Sequence, residues 1–346
     1  MGRSRQERVA RAAAGPVVLQ SFAAPGPATN PHMTLLLRAL RRDLDVRTFG
    51  WREALLGRYD VLHVQWPEVV VTKTTRWRTA LAGAALVVTL ARCAVRRTAV
   101  VRTLHNLAPH EGQPWTTRAA LRWCDRRTTW WIRLNDETPT PAGAHVTTIP
   151  LGDYADWYAA HPEPDPVPGR LAYVGLVRPY KGVLELVAAF RGTADDALSL
   201  VVAGKPATPG AADELAAAAA GDDRVDLVLR HLDDAELVAQ VGAAQLVVLP
   251  YRAMHNSGAL LLALTLRRPV LVPRNAVTDA LAAEVGPWWV QRFDGPLTST
   301  ALVAALAAVA SPPPAPPDLT ARDWDEIARR HREVYAGAVR AAHGRR

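Results

Sequence analysis

Short apolar runs alternate with longer amphipathic stretches along the first half of the chain. Apolar runs are typical of buried strands, and apolar residues spaced three or four apart are typical of helices. The pattern predicts strands at 16–22, 60–65, 99–104, 129–134 and 145–149, with helices at 32–42, 73–92 and 116–127. Strands that alternate with helices indicate a parallel sheet covered on both faces.

The second half repeats this rhythm after a proline-rich stretch at 162–169. It predicts strands at 170–175, 198–203, 225–229, 246–250 and 269–273, separated by helices at 183–190, 211–220, 233–239 and 258–265. A proline run at 312–317 precedes a last amphipathic helix at about 324–339. The predicted fold is α/β, with two doubly wound Rossmann-like domains facing a central cleft. Ligands of such sheets bind at the carboxyl ends of the strands.

These breaks predict the domain organisation. We expect a basic tail at 1–14, an N-terminal domain at 15–161, a linker at 162–169 and a C-terminal domain at 170–317. The remaining segment, 318–346, carries the amphipathic helix, for which we expect a packing surface on the N-terminal domain. A chain of 346 residues has enough length for two such domains.

Composition limits the class of protein. The chain is 49% hydrophobic and 21% charged, which is typical of a globular protein. Cys93 and Cys124 are the only cysteines, which excludes a disulfide framework and fits the reducing cytoplasm. No uninterrupted apolar run reaches about 18 residues, so no transmembrane helix is predicted. The first residues lack the apolar core of a signal peptide.

Positive charge is concentrated in the first half. Residues 1–150 contain 22 Lys and Arg against 10 Asp and Glu, whereas residues 151–346 contain 19 against 23. This asymmetry indicates that one side of the protein meets an anionic surface. We expect no nucleic-acid partner, because the chain has no helix-turn-helix, zinc-finger or RNP-like pattern. Residues 76–97 form an apolar helix flanked by Arg and Trp, either interfacial on anionic lipid or buried in the domain.

The segment 171–182 joins a strand to a helix through a turn that carries Arg178 and Lys181. Backbone amides, the helix dipole and two cations at such a turn all favour the same anion, which suits a diphosphate. The alternative is an ordinary turn with solvated basic residues.

A second segment of this kind, 249–258, ends a strand before an apolar helix. Asn256 or Ser257 is a good N-cap, and the amides of Ser257, Gly258 and Ala259 would be available to phosphate oxygens or sugar hydroxyls. The alternative is a capped helix that binds nothing. Two anion-binding elements at strand ends of one sheet are hard to explain by packing.

The order of four motifs over residues 170–290 resembles the C-terminal domain of glycosyltransferase family 4 and its relatives. These motifs are Tyr-Val-Gly followed by Arg-Pro-Tyr-Lys-Gly, Val-Ala-Gly-Lys-Pro, Leu-Pro-Tyr-Arg followed by Asn-Ser-Gly, and Arg-Pro-Val-Leu-Val-Pro. The resemblance implies a GT-B fold, with an acceptor-side N-terminal domain and a C-terminal domain that binds a nucleotide-sugar. Within the superfamily, the chain looks closer to bacterial exopolysaccharide and glycolipid transferases, some of which are β-mannosyltransferases using GDP-mannose.

The resemblance also assigns donor-binding residues. It implies that Arg178 and Lys181 grip the diphosphate, and that the Gly204–Lys205 region with the 229–232 turn recognises base and sugar. His255, Asn256, Ser257 and Gly258 would contact donor phosphate and sugar. Typical members carry a Glu-x7-Glu pattern here, but this chain has His255 and Ala263 at those positions, so both carboxylates are absent.

The candidate catalytic residues follow the strand 99–104. His105, Asn106, His110 and Glu111 form a polar cluster suited to holding sugar hydroxyls or moving a proton. The family places a His after this strand near the donor sugar, and His105 matches it. Glu111 and His110 are candidates for acceptor contact or general base, while Asn106 is an acceptor-side candidate. A buried His–Glu pair is the structural alternative; no further ligand set accompanies these residues, so no metal is expected.

Other acceptor-side candidates follow neighbouring strands. Trp66 and Glu68 come after the strand 60–65, where an aromatic face suits a sugar ring, and Asn30 lies in the loop after the first strand. His63 is predicted to be a packed residue within the sheet. The turn 149–154 resembles the family's interdomain loop and has either a hinge or a catalytic role.

We therefore predict a glycosyltransferase that moves a hexosyl unit from a nucleotide-sugar, by preference GDP-mannose, to a carbohydrate or lipid-linked acceptor. The nucleotide-sugar is a co-substrate, and no cofactor is expected. The predicted location is the cytoplasm, including the inner face of its membrane. Retention and inversion both stay open, and the rival hypothesis is a catalytically silent GT-B subunit that binds a partner or glycolipid.

Overall fold

A computed structural model of the chain describes residues 15–26, 29–105 and 115–344. These residues form two compact units. The first takes its residues from the part up to Gly152 and from Ala321 onward, and the second spans Asp153–Thr320. The proline-rich stretch 162–169 lies within the second unit, where Val167 N donates to Ala243 O and Arg268 donates to Pro164 O.

The first unit is built on a parallel sheet of six strands. They are β1 (Val18–Gln20), β2 (Val46–Arg47), β3 (Val61–Val64), β4 (Ala99–Leu104), β5 (Trp130–Arg133) and β6 (Val146–Thr148). Their order is β2-β1-β3-β4-β5-β6, so the direction of winding reverses between β1 and β3. The loops that follow these two strands flank the position where doubly wound sheets bind ligands.

Five helices of the first unit follow these strands in the described part of the chain. They are α1 (Pro31–Leu40), α2 (Trp51–Leu56), α3 (Pro67–Val71), α4 (Arg76–Arg96) and α5 (Trp115–Arg127). The inner face of α4 joins the core, where Leu86, Leu90 and Cys93 pack with Leu62 and Val100 of the sheet. Apolar side chains of the helix also lie on the side that faces away from this core.

Helix α4 is long and apolar enough, by length and composition, to cross a membrane, and it alone passes that test among the described residues. The core helix of a soluble protein passes the same test, and 39% of the most apolar window of α4 is buried. The sequence-based expectation of no transmembrane helix considered uninterrupted apolar runs, which the arginines and threonines of α4 break.

The second unit repeats the architecture with β7 (Arg170–Val174), β8 (Ser199–Ala203), β9 (Val225–Val228), β10 (Leu246–Val248), β11 (Val270–Pro273) and β12 (Val290–Phe293). The parallel order β12-β11-β10-β7-β8-β9 reverses between β7 and β10, as in the Rossmann fold. The helices are α6 (Ala155–Tyr158), α7 (Val183–Arg191), α8 (Pro209–Ala219), α9 (Asp234–Gly242), α10 (Gly258–Thr265), α11 (Ala276–Val285) and α12 (Ser299–Ala308).

The last helix, α13 (Trp324–Gly344), belongs to the first unit. It packs on α1 and on strands β3 and β4, and buries Ile327, His331 and Tyr335. A Cβ on Gly337 would lie 2.8 Å from the ring of Trp130, so only glycine allows this approach of helix to sheet. The amphipathic C-terminal segment thus supplies polar as well as apolar side chains to this core.

Candidate active site

Three glycines bring the loops of the second unit together at the carboxyl edge of its sheet. Gly175, Gly182 and Gly204 all have positive φ, the left-handed region that other residues rarely adopt. A Cβ on Gly204 would lie 1.9 Å from the carbonyl oxygen of Gly175, and one on Gly182 would lie 2.1 Å from that of Pro250. The loops after β7, β8 and β10 are therefore in direct backbone contact beside the point where the strand order reverses.

Lys181 and Arg178 occupy this edge. Lys181 Nζ donates to the hydroxyl of Tyr251 at 2.9 Å and lies 4.5 Å from the centre of that ring. Burial lowers the pKa of Lys181 and raises the pKa of Tyr251 to about 12. The half-buried Arg178 precedes the 3-10 turn Pro179–Lys181, and within the described chain no carboxylate pairs with either cation. The pair is an uncompensated positive site that an anionic ligand would stabilise.

A second anion-binding element is the N-terminus of α10. Ser257 caps the helix, since its Oγ accepts from Leu260 N at 3.2 Å and its carbonyl oxygen accepts from Leu261 N. The first amides of the helix, at Gly258 and Ala259, have no acceptor inside the helix. The Asn275 side chain donates to Met254 O at 3.0 Å and holds the preceding loop in place.

The two positions of the missing carboxylates differ in environment. His255 is half-buried, and burial lowers its pKa, so its imidazole is neutral near pH 7. Ala263 is fully buried within α10. Neither side chain can replace a carboxylate as an acceptor for several sugar hydroxyls.

A cavity of about 530 Å³ follows β8 and β9 in the same unit. Its lining includes Lys205, Thr208, Leu229, Arg230 and His231. Lys205 is tied to the β7 loop, because its carbonyl oxygen accepts from Val177 N at 3.0 Å. Lys205 and residues 229–231, which belong to the two segments that we predicted to recognise base and sugar, thus line one cavity.

The first unit has its own cavity, of about 360 Å³, at the carboxyl ends of β3, β4 and β5. It is lined in part by Gln65, Trp66, Glu68, Arg102, His105 and Asp125. The indole of Trp66 stacks on the imidazole of His105 with 3.8 Å between ring centres, and Arg102 is ion-paired with Asp125. The structure therefore brings three predicted residues, His105, Trp66 and Glu68, to one cavity.

Asn30, a further acceptor-side candidate, lies outside this cavity. Asn30 is exposed and caps α1, where its Oδ1 accepts from His32 N at 3.0 Å, and it is not part of the cavity lining. The capping role accounts for its residue type. Asn106, His110 and Glu111 lie outside the described residues.

A buried chain of hydrogen bonds supports His105. His105 Nε2 lies 2.7 Å from Gln65 Oε1, and because an amide oxygen only accepts, the imidazole proton is on Nε2. Tyr335 accepts from Gln20 Nε2 at 3.2 Å, and its hydroxyl is also hydrogen-bonded to His63 Nδ1 at 2.8 Å. His63 Nε2 is hydrogen-bonded to Thr103 Oγ1 at 2.8 Å and lies 3.3 Å from Gln65 Nε2, which joins His63 to the partner of His105.

The sequence analysis missed most of this chain. It predicted His63 as a packed residue, and His63 is fully buried as predicted. Gln65 could have been found from its position at the end of β3. Tyr335 comes from α13, far along the chain, and no local pattern links it to His63.

Burial keeps the histidines of this cluster neutral. It lowers the pKa of His63 and His105 well below the usual 6.5, and neighbouring imidazoles lower both values further. Burial likewise lowers the pKa of His32 to about 3 and that of His331 to about 4. Among the residues that the structure describes, no group of three or more His, Cys, Asp or Glu is arranged to hold a metal ion.

These shifts predict that acid destabilises the first unit. The pKa values of these histidines are lower in the folded state than in the unfolded chain. As the pH falls below 6.5, the unfolded state therefore binds more protons than the folded state does. Stability is fully present above pH 6.5 and declines towards pH 4, by up to about 1.4 kcal/mol per pH unit for each histidine. Urea unfolding at pH 7 and pH 5 measures the change, and His331→Gln should make the dependence shallower. Equal free energies of unfolding at the two pH values would contradict the prediction.

Comparisons with known proteins agree with this architecture. No family model matches the chain. Two curated proteins from Xanthomonas campestris pv. campestris, both named GDP-mannose:glycolipid 4-beta-D-mannosyltransferase, are 44% identical to it over 342 residues, covering 98% of each chain.

Solved structures show the same fold. The catalytic domain of starch synthase IV from Arabidopsis thaliana has a TM-score of 0.62 at 11% identity, covering 94% of this chain and 100% of that one. Anabaena HepE, solved in complex with UDP-glucose, has a TM-score of 0.59 at 15% identity, covering 95% and 98%. A glycosyltransferase involved in avilamycin A biosynthesis has a TM-score of 0.58 at 16% identity, covering 94% and 98%.

The fold is therefore that of the GT-B glycosyltransferases, as predicted from the sequence. Identity of 44% across nearly the whole of both chains is far above what a shared fold alone requires. The protein is a glycosyltransferase, and it belongs to the family of the GDP-mannose:glycolipid 4-beta-D-mannosyltransferases.

Proposed function

We propose that this protein transfers mannose from GDP-mannose to a glycolipid acceptor and forms a β-linkage. The observation that carries the proposal is the 44% identity, over 98% of both chains, to two enzymes named for that reaction. The two cavities and the cationic edge described above support the proposal, because they offer places for a donor and an acceptor.

The donor half of the reaction belongs to the second unit. Arg178, Lys181 and the first amides of α10 would hold the diphosphate of GDP-mannose. As the bond between mannose C1 and the diphosphate breaks, negative charge builds up on the leaving GDP. Preorganised cations and amide dipoles stabilise that charge without a metal ion. The guanine base would occupy the cavity beside Lys205, Arg230 and His231.

The acceptor half belongs to the first unit. A sugar ring of the glycolipid would lie in the cavity beside Trp66, whose indole offers a stacking face, with Glu68 and Arg102 available to its hydroxyls. A glycolipid lies in a membrane, so we propose a peripheral enzyme at the inner face of the cytoplasmic membrane. The two buried cysteines, both free thiols, fit this reducing compartment.

Inversion follows from the linkages. Mannose is α-linked in GDP-mannose, so a β-linked product requires inversion at C1 by one displacement. The attacking hydroxyl must lose its proton to a base. We assign this role to His105, because Gln65 fixes its proton on Nε2 and burial keeps the ring neutral, which places the basic lone pair on Nδ1.

A thermal-shift comparison of nucleotide-sugars tests the donor assignment. A ligand that binds only the folded state stabilises it by about 2.7 kcal/mol at 100 times its Kd, which corresponds to roughly 5–10 °C in Tm for a unit of this size. We expect such a shift with GDP-mannose and GDP, and a much smaller one with UDP-glucose and ADP-glucose. A shift confined to UDP- or ADP-sugars would overturn the assignment of GDP-mannose.

A further inference from the structure

The outward face of α4 is apolar along its whole length. Its exposed residues follow one another at intervals of three or four, which places them on one side of the helix. Trp77 and Leu81 are each 63% exposed, Val88 is 57% exposed and Val95 is 86% exposed. The α4 stripe is defined here as Trp77, Leu81, Ala84, Val88, Ala91 and Val95.

The neighbouring helices also expose large apolar side chains. Leu56 at the end of α2 is 73% exposed and Val69 of α3 is 66% exposed, and both helices pack against α4. Large exposed apolar side chains are unusual at this density on a monomeric protein and mark an interaction surface. The opposite face of α4 is part of the core, through Leu86, Leu90 and Cys93. A partner would therefore contact the outer side of the helix along its length.

Both ends of the stripe are basic. Lys73, Arg76 and Arg78 lie at its start, Arg96 and Arg97 at its end, and all five are exposed. The sequence contains no Asp or Glu between Glu68 and Glu111. Within the described chain, no carboxylate pairs with any of these five cations. The guanidinium of Arg78 lies 5.2 Å from the ring centre of Trp77, so an aromatic and a cation share one end.

We propose that the α4 stripe docks on an anionic lipid bilayer, with its apolar side chains in the interfacial region and its basic ends against the headgroups. An apolar face with Lys, Arg and Trp at its borders has the composition of an interfacial helix. A second copy of the chain fits less well, because parallel and antiparallel pairing both bring cations against cations. This inference rests on the proposed function, in that a glycolipid acceptor requires the enzyme to meet a membrane.

Co-sedimentation of the full chain with vesicles tests the proposal. The probes are vesicles of phosphatidylcholine alone and of phosphatidylcholine with about one third phosphatidylglycerol. We expect binding to the mixed vesicles, weakened by salt, and at least tenfold lower partitioning for the double variant Leu81→Asp/Val88→Asp. Both positions are exposed, so the variant should fold, and circular dichroism checks this.

The matched control is Val303→Asp, since Val303 is an exposed apolar residue, 48% exposed, on α12 of the second unit. This variant should partition like the parent chain.

Three results would each overturn the proposal. The first is that the α4 variant binds mixed vesicles as well as the parent chain does, and the second is that the parent chain binds neutral vesicles as well as mixed ones. The third is that the parent chain is a dimer in solution and the substitutions in the α4 variant dissociate it. If the α4 variant no longer binds vesicles but its Tm still rises with GDP-mannose, the docking proposal is supported. Absent vesicle binding by the parent chain, with mannose still transferred to a detergent-solubilised glycolipid, would refute docking and leave the proposed function standing.

Discussion

Replacing Arg178 and Lys181 together by alanine is expected to lower kcat/KM for GDP-mannose by about 100-fold or more. The two cations form a site that no described carboxylate neutralises, and the leaving diphosphate would be its natural ligand. The loss should fall on kcat as well as KM, because the charge on the diphosphate increases as the bond to mannose breaks. Steady-state kinetics with GDP-mannose, at several concentrations, measures both.

Two variants control this experiment. Arg191→Ala removes an exposed arginine from the far end of α7, where its guanidinium donates to the carbonyl oxygen of Ala218, and should leave the kinetics unchanged. Tyr251→Phe removes the hydroxyl that holds Lys181 and should cost less than the loss of Lys181 itself. A double variant at Arg178 and Lys181 with near-parental kcat/KM would show that the diphosphate binds elsewhere.

Replacing His105 by alanine is expected to reduce kcat by about 100-fold to 10,000-fold, the range of a general base. The KM for GDP-mannose should change little, because the donor-binding residues belong to the second unit. His145→Ala is the matched control, since His145 is an exposed histidine of the same unit that stacks on Trp130. If Glu111→Gln abolishes transfer while His105→Ala retains most of it, the base is Glu111 and our assignment is wrong.

The pH dependence of kcat separates a base from a structural histidine. Burial and the nearby His32 lower the pKa of His105, so its basic form persists below pH 6.5 and the acid limb of the profile should lie below that value. The groups around it are His63, Glu68 and Arg102, besides Gln65 at Nε2. Gln65→Glu places a carboxylate beside Nε2, favours the imidazolium and should move the acid limb to higher pH. An unmoved acid limb in that variant would contradict the role of His105.

The sequence singles out the loop of Arg178 and Lys181 because the features of that loop are local. Arg178 and Lys181 are three residues apart, between a strand and a helix that are both strongly apolar. Tyr251, which holds Lys181, is 70 residues away, and the contact arises only because β7 and β10 are neighbours in the sheet. Strand order depends on tertiary packing, so no local pattern predicts this pair.

The same limit applies to the first unit. The position of His105 at the end of β4 was enough to single it out, but its support runs through Gln65 and His63 to Tyr335 on the last helix. Several elements were also missed. Strand β2 has two residues and α2 has six, too few for a period to appear. Helix α12 is almost entirely small and apolar, so it has no polar face to reveal a helical repeat.

The proline-rich stretch 162–169 illustrates a different limit. Four prolines in eight residues are typical of a linker, yet the backbone here is hydrogen-bonded to the second unit through Val167 and Pro164. Proline restricts the backbone but does not decide whether its carbonyl groups find partners. The boundary between the units instead follows Gly152, where the sequence changes little in composition.

The transfer reaction itself tests the central claim most directly. Purified protein is incubated with GDP-mannose carrying labelled mannose and with lipids extracted from cells that lack the gene for this protein. We predict that label enters the lipid fraction and that β-mannosidase, but not α-mannosidase, releases it. Label that only α-mannosidase releases, or lipid that gains sugar from UDP-glucose and none from GDP-mannose, would contradict the account.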